Sequence, residues 1–358
     1  MDLSNLRKEI DSLDSKIVSL LNERATVSVQ VGRAKAAAVA GTDDPAAVAA
    51  VASTAEVYVP RREREVFEQV VRMNHGPLSN EAVVAIYREI MSASISLQQQ
   101  VAVTFLGPAG THSHQAAMDR FGDSVLYVPM TTIADVFTAV EQGRAMYGVV
   151  PFENSTFGSV AQTLDRFISS PLQIRGETYL PIHHYSCRRR LCMPFDVPHA
   201  ERISVSSTAQ AAELASKEPH AAAIANQVCA QLYGLQIVAP RVEDAQGNTT
   251  RFLVLARESD SIASSQPDRD KSLLCFTVDH RVPGALCDAL RVFKDCGINL
   301  TRIDSRPDRL RNDRGGLWHY VFFRALKELE GLCVDLKVLG SYPVMEGKFS
   351  AAPGMTVG

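Results

Sequence analysis

Val101-Ala-Val-Thr-Phe-Leu106, followed at once by Gly107-Pro-Ala-Gly-Thr111, is where the pattern of this chain changes. Six residues of branched and aromatic type bounded by a Gly/Pro cluster read as a strand and its turn, and a helix begins near Ser113. The alternation then continues. Val125 to Val128 is a strand, a helix starts after Thr132, and Tyr147 to Val150 is a strand leading to Glu153-Asn154-Ser155. A helix containing Thr163 follows. Residues 201–256 repeat the alternation and end in Asn248-Thr249-Thr250-Arg251-Phe252 before strand Leu253 to Ala256. This is the pattern of an α/β domain with parallel strands, whose ligands sit at the carboxyl ends of strands. The glycine and hydroxyl loops fall at such ends. Gly107 to Thr111 lacks the lysine of a phosphate-binding loop, so taken alone it is equally a structural turn.

Upstream of Val101 the sequence reads as helical, with the Ala/Val-rich stretch Ala36 to Val57 a loop or a loose helical insertion. Leu3, Leu6, Ile10, Leu13, Ile17, Leu20, Val27 and Val31 keep a three-four spacing, which predicts a long first helix to about Lys35 packed against other helices. Arg24 continues that stripe, and Arg7 and Lys35 flank it. Cations on a buried face need anionic partners. Either the helix has carboxylates of its own or it holds a small polyanion. A second helix is expected from Arg61 to about Met73, and a third, N-capped by Ser79, from Asn80 to about Gln99. Val83, Ile86, Ile90 and Leu97 give the third an apolar face, with Ser94 and Gln98 one turn apart.

Downstream, Glu258 to Lys271 reads as a linker. Strands Ser272 to Asp279, Asn299 to Ser305, Trp318 to Phe323 and Val334 to Ser341, with helices Pro283 to Asp295 and Ala325 to about Leu332, approximate a βαββαβ ferredoxin-like module. The division is therefore residues 1–100, helical; 101–258, α/β; and 271–343, α+β.

Composition excludes several classes. The chain has 358 residues, 46% hydrophobic residues and a formal charge of -3, which suits a soluble globular protein rather than a nucleic-acid binder or a disordered chain. Arg188 to Arg190 is too short a basic run to change that. No apolar run reaches the roughly 20 residues of a membrane span. Seven cysteines without CxxC pairs, and no secretory signal, predict free packing thiols in the cytoplasm. His183-His184 has no carboxylate or cysteine at ligand spacing, so it reads as a strand end rather than a metal pair.

Taken in order, these motifs resemble a known family. Arg7, Arg24, Lys35, Arg62-Glu63-Arg64, Ser94 and Gln98 resemble the site residues of all-helical chorismate mutases. Gly107 to Thr111, Val150-Pro-Phe-Glu153-Asn-Ser155, Gly158-Ser-Val160, Leu180-Pro-Ile-His-His184 and Asn248 to Phe252 resemble prephenate dehydratase. Pro283-Gly-Ala-Leu286, Gly297-Ile-Asn-Leu-Thr301, Asp304-Ser-Arg-Pro307 and Leu336 to Pro343 resemble its regulatory ACT domain. The resemblance, which covers nearly the whole chain, is to the bifunctional chorismate mutase–prephenate dehydratases. It implies a helical mutase domain, a two-lobed dehydratase domain of the periplasmic-binding-protein kind, and the ACT module.

The resemblance also implies roles. Arg24, and Arg7 from a partner chain, would hold the carboxylates of chorismate; Lys35 and Gln98 would donate to its ether oxygen; Glu63 would take the ring hydroxyl, with Arg62 and Ser94 in support. In the dehydratase, Thr250 would be the general acid or its hydrogen-bond partner, with Arg251 close by. Thr111, Asn154, Ser155, Thr163 and Ser207 would bind prephenate, together with Phe252. L-Phenylalanine would bind at Gly284, Ala285, Leu286, Asn299, Asp304, Ser305, Arg306 and Pro307. No metal or organic cofactor is implied, and a homodimer or higher homo-oligomer is. Three departures stand out: the link between Lys35 and Arg62 is longer than the family's, with Val59 where an aspartate is usual, and the dehydratase segment after His184 and the ACT segment after Phe323 are shorter than the family's. The two shorter segments predict a weakened dehydratase, a frayed ACT sheet and weak feedback. A mutase carrying a defective dehydratase, or a non-catalytic phenylalanine sensor, are the alternatives.

Overall fold

The computed structural model describes residues 2–40, 60–98, 101–188, 201–244, 246–257, 270–279, 281–295, 298, 300–307, 317–323 and 335–343. The side chain of Lys35, residue Asn299, the expected helix 325–332, most of the expected linker and the segments 189–200 and 324–334 at the two shortened places lie outside them.

The described residues form two compact units. The first holds three helices: α1 (Leu3–Ala40), α2 (Pro60–Met73) and α3 (Asn80–Gln98). α1 has 38 residues, about 57 Å at 1.5 Å per residue. The half-buried positions Arg24, Ala25, Ser28, Val29 and Gly32 recur at three-four spacing, and Arg24 and Gly32 meet α3. A Cβ built on Gly32 would stand 3.1 Å from the Gln98 Cβ, so these two backbones approach closely. The predicted apolar stripe behaves otherwise. Leu3, Ile10, Leu13, Ile17, Leu20 and Val27 are exposed, as are Ile86 and Leu97 of α3, while Ser92 and Ser94 are the buried residues of that helix. Three helices of one chain do not cover a helix of this length.

The second unit contains the α/β segment and the C-terminal module together. Its first lobe is built from β1 (Ala102–Leu106), α4 (His112–Phe121), β2 (Leu126–Met130), α5 (Ile133–Glu141), β3 (Tyr147–Asn154), β4 (Gly158–Ser159), α6 (Ala161–Ser169), β5 (Gln173–Pro181) and β9 (Thr249–Ala256). The strand order is β2-β1-β3-β9-β5, with β4 on β3. β1 and β3 are parallel, whereas β9 is antiparallel to both β3 and β5. The sheet is therefore mixed, not parallel as the sequence predicts, because the chain returns from the second lobe into its middle. The consequence is useful: the ends of β1, β3 and β5 and the start of β9 fall on one edge.

The second lobe holds β6 (Tyr185–Arg188), α7 (Thr208–Lys217), β7 (Ala222–Ala225), α8 (Gln227–Leu232) and β8 (Gln236–Ala239), in sheet order β7-β6-β8. β6 is antiparallel to both neighbours and is paired on both sides. The backbone of β6, directly after His184, thus has its ladder partners. The core of this lobe is small, resting largely on Ala209, Ala212, Ala215, Ala223, Ala225 and Cys229.

The C-terminal module is β10 (Asp270–Thr277), α9 (Ala285–Asp295), β11 (Leu300–Pro307), β12 (Leu317–Phe323) and β13 (Asp335–Pro343), an antiparallel sheet in the order β11-β12-β10-β13. That is the ferredoxin-like strand order. β12 is paired on both sides from Trp318 to Phe323, and the segment after Phe323 on which the expected fraying falls lies outside the described residues. Strand alternation gives the sheet two apolar faces. Leu274, Phe276 and Val321 pack on Ala289 and Phe293 of α9. Leu273, Cys275, Trp318, Tyr320, Leu339 and Tyr342 share one core with Phe152, Phe167, Ile174 and Leu253 of the first lobe. At Gly340, φ +144, a Cβ would stand 2.7 Å from the Ile174 nitrogen; only glycine fits there. This common core explains why the second and third sequence segments form a single unit.

Candidate active sites

In the helical unit, Arg24 Nη1 donates to Ser94 Oγ, and Ser94 Oγ donates to the Ile90 carbonyl oxygen at 2.7 Å. One turn further along α3, Gln98 Oε1 is buried and meets no hydrogen-bond partner among the described residues. Arg24, Ser94 and Gln98 thus gather where α1 meets α3. Arg7 is not brought to them. Seventeen residues separate it from Arg24 on one helix, roughly 26 Å. Arg62 is exposed and pairs with Glu65 at 3.2 Å; Glu63 is half-buried on the same helix, α2.

In the α/β unit the site grows from the strand ends. Asn154 closes the β3–β4 turn, its Oδ1 accepting from the Thr156 nitrogen at 2.9 Å and the Phe157 nitrogen at 3.0 Å. Those two backbone donors fix which way the amide faces. Its Nδ2 must then point across the edge, where it donates to Thr250 Oγ1 at 2.9 Å and Asn248 Oδ1 at 2.6 Å. Ser155 Oγ accepts from the Thr249 nitrogen at 2.9 Å and donates to the Gly247 carbonyl oxygen at 3.3 Å. Thr111 Oγ1 donates to the Leu106 carbonyl oxygen at 2.9 Å, holding the loop at the end of β1. Thr111, Asn154, Ser155 and Thr250 are therefore on one sheet edge.

Four of the expected residues are placed otherwise. Thr163 is fully buried on α6, its hydroxyl spent on the Pro151 carbonyl oxygen at 2.6 Å. Phe252, 1% exposed, is a core residue of β9. The Ser207 hydroxyl caps α7 by accepting from the Gln210 nitrogen at 3.2 Å. Arg251 points away from Thr250, as successive strand residues must. Its guanidinium reaches Glu177 Oε2 at 2.6 Å and the Tyr342 hydroxyl at 2.8 Å, beneath the C-terminal sheet. Lys271 joins them, 2.9 Å from Glu177 Oε1. Burial alone would lower the Arg251 pKa, but the Tyr342, Glu177 and Tyr179 oxygens outweigh it and raise it. Burial pushes the Tyr179 hydroxyl up to about 12. This buried ionic cluster joins β5, β9, β10 and β13.

The expected effector residues also divide. Ser305 and Pro307 lie on the α9 face of β11, Ser305 Oγ being 2.8 Å from His319 Nδ1. Asp304 and Arg306 face the first lobe instead, Asp304 Oδ1 accepting from Ser159 Oγ at 2.7 Å and Arg306 Nε meeting Asp165 Oδ1 at 2.7 Å. The one-residue alternation of a strand separates them. Gly284, φ +87, precedes α9, and Ala285 and Leu286 begin it, packed against its core. Asn299 lies outside the described residues.

Sequence reasoning missed several residues. Asn248 shares the Asn154 amide, and its place directly before Thr249-Thr250 was the available signal. Asn226, buried and capping α8, donates to the Gly110 carbonyl oxygen at 2.7 Å and so clamps the first loop to the second lobe. Glu243 ties the crossing segments between lobes: its Oε2 accepts from the His184 nitrogen at 3.0 Å, and its Oε1 is 2.8 Å from His183 Nδ1. The His184 backbone donor and the His183 ring hold its carboxyl near 2. His112 was passed over altogether. Among the described residues there is no group of three or more His, Cys, Asp or Glu able to hold a metal ion, and no helix long and apolar enough to cross a membrane.

Known proteins match both units. Residues 6–99 match the family model for type II chorismate mutase, and residues 103–191 and 186–260 match that for prephenate dehydratase. The bifunctional chorismate mutase/prephenate dehydratase of Aquifex aeolicus is 40% identical over 96% of this chain and 98% of its own length. Among solved structures, prephenate dehydratase from Arthrobacter aurescens in complex with L-Phe aligns with a TM-score of 0.59 and 26% identity, covering 68% of this chain and 90% of that one. A protein described as a quorum-quenching acylase, GqqA, aligns with the same TM-score at 25% identity, covering 68% of this chain and 98% of that one. Full-length identity at this level, with both family models matched in order on two separate units, places the sequence: the chain belongs to the bifunctional chorismate mutase/prephenate dehydratase family.

Proposed function

We propose that this chain is a bifunctional enzyme of phenylalanine biosynthesis, rearranging chorismate to prephenate in its helical unit and converting prephenate to phenylpyruvate in its α/β unit. The observation that carries the second half is the fixed Asn154 amide. Because Asn154 donates to Thr250 Oγ1, that hydroxyl is an acceptor there and its own proton is free to be given elsewhere. In the reaction, the ring carboxylate leaves as carbon dioxide, its bonding electrons aromatise the ring, and the ring hydroxyl leaves with a proton as water. Thr250 is the donor or hydrogen-bonding partner for that departing oxygen. Thr111, Asn154 and Ser155 order the edge on which prephenate lies.

The first reaction needs neither nucleophile nor proton transfer. It requires a dianion held in a compact conformer and charge stabilised on the breaking ether oxygen. Arg24 serves a carboxylate, as a planar, permanently charged donor suits. Gln98 and Lys35 serve the ether oxygen, Glu63 the ring hydroxyl, and Arg62 and Ser94 support them. Arg7 comes from a second copy of the chain. The exposed stripe of α1 supports this reading, since a helical homodimer would bury it. Sedimentation of the purified chain is expected to give at least a dimer; a monomer at micromolar concentration would refute the exchange of helices.

The C-terminal sheet is read as an ACT module, with L-phenylalanine bound near Gly284, Ala285, Leu286, Ser305 and Pro307. The enzyme is read as cytoplasmic. Chorismate loss and phenylpyruvate formation, assayed separately, test the whole proposal. Both activities are expected, and Thr250→Ala should abolish most phenylpyruvate formation while chorismate loss continues. Chorismate loss alone would favour a mutase with a defective dehydratase; phenylalanine binding without either activity would favour a sensor.

A further inference from the structure

Two imidazoles stand together at the dehydratase edge. His112 follows Thr111 and begins α4; its ring centroid is 5.6 Å from that of His184, edge to face. Both ring nitrogens of His112 are buried and meet no hydrogen-bond partner among the described residues. A neutral imidazole always carries one N–H and one lone pair. Leaving both unmet in a folded interior is costly and calls for an explanation outside the chain's own groups. His184 is held in place by its own backbone, its nitrogen donating to Glu243 at 3.0 Å and its carbonyl oxygen accepting from Val242 at 2.9 Å.

We infer that His112, backed by His184, binds the side-chain carboxylate of the 2-oxo acid, the group that prephenate and phenylpyruvate share. This inference rests on the dehydratase reading above. Thr250 serves the ring hydroxyl at one end of prephenate, and the carboxylates are at the other. The strand that leads to His112, β1, lies two strands from β9, roughly 10 Å at the usual strand spacing, which matches a six-membered ring with substituents at opposite ends. An uncharged donor suits a site that must release its product. Burial and the neighbouring His184 lower the His112 pKa to about 4, so at neutral pH it offers an N–H without a charge. Among the described residues, His183 and Glu243 stand beside His184 and pair with each other.

The test uses the full chain. His112→Phe keeps a ring but removes both nitrogens; His112→Gln keeps an amide donor. With prephenate, His112→Phe is expected to raise KM about tenfold, the scale of one lost hydrogen bond, and His112→Gln to restore part of it. Chorismate turnover should be unchanged in both. Independently, the His112 ring protons, followed by NMR in the wild-type chain, should titrate at higher pH when phenylpyruvate is added, because a bound carboxylate favours the charged ring. His112→Phe with an unaltered KM, or a titration that phenylpyruvate does not move, overturns the assignment. Phenylpyruvate formation by the wild type stands apart from these outcomes: its absence would reject the dehydratase reading, whereas its presence with an indifferent His112→Phe rejects only this inference.

Discussion

Glu177→Ala is expected to destabilise the α/β unit by about 3–5 kcal/mol, the usual result of stranding buried cations. Glu177 is fully buried, and its carboxylate holds Arg251 at 2.6 Å and Lys271 at 2.9 Å. Those two residues lie on β9 and β10, and Tyr342 reaches the same carboxylate from β13 at 3.2 Å. Removing it leaves two cations in a region where water does not replace the lost partner. The measurement is urea unfolding followed through Trp318, the single tryptophan, which lies in the core shared by the first lobe and the C-terminal sheet. A loss below about 1 kcal/mol, the range of exposed pairs, would mean that the cluster is not what ties the C-terminal module down. The same cluster gives Arg251 a role different from that of its neighbour. Thr250 faces Asn154 at the sheet edge, and Arg251 anchors the strand that carries it.

The second large effect concerns Arg24→Ala. Chorismate turnover is expected to fall about ten- to a hundredfold, the scale of a charged hydrogen bond worth roughly 1.5–3 kcal/mol. Phenylpyruvate formation from supplied prephenate should not change, because Arg24 belongs to the helical unit and contacts Ser94 there. Full chorismate turnover by a folded Arg24→Ala chain would reject the placing of this site.

Much of the sheet edge that gathers Thr111, Asn154, Ser155 and Thr250 was legible without a structure. Asn154, Ser155, Thr111 and Thr250 are polar residues in glycine-bounded loops at strand ends, and strand ends are where such sheets place their ligands. The limits came from side-chain direction. Thr163 and Phe252 lie in the right motifs but point into the core, and Arg251 is one residue away from Thr250 and on the other face. Asp304 and Arg306 are likewise turned to the first lobe while Ser305 and Pro307 are not. A motif in a sequence marks a segment; the period of two within a strand decides which half of it reaches a site.

By itself, the sequence determined local chemistry: the three described helices before Val101, the strand and turn at Val101 to Thr111, the caps, and the strand set of the C-terminal module. These follow from periodicity and turn residues, which act over a few neighbours. The tertiary structure alone decided what depends on distant partners. It put β9 between β3 and β5, which brought Thr250 to Asn154 across 96 positions of chain. It joined the dehydratase lobe and the C-terminal sheet through one core and one buried carboxylate, Glu177. It left the apolar stripe of α1 uncovered and buried Ser94 beside Arg24. None of these could be read from spacing, because burial and charge pairing are set by the surface that another segment supplies, not by the segment itself.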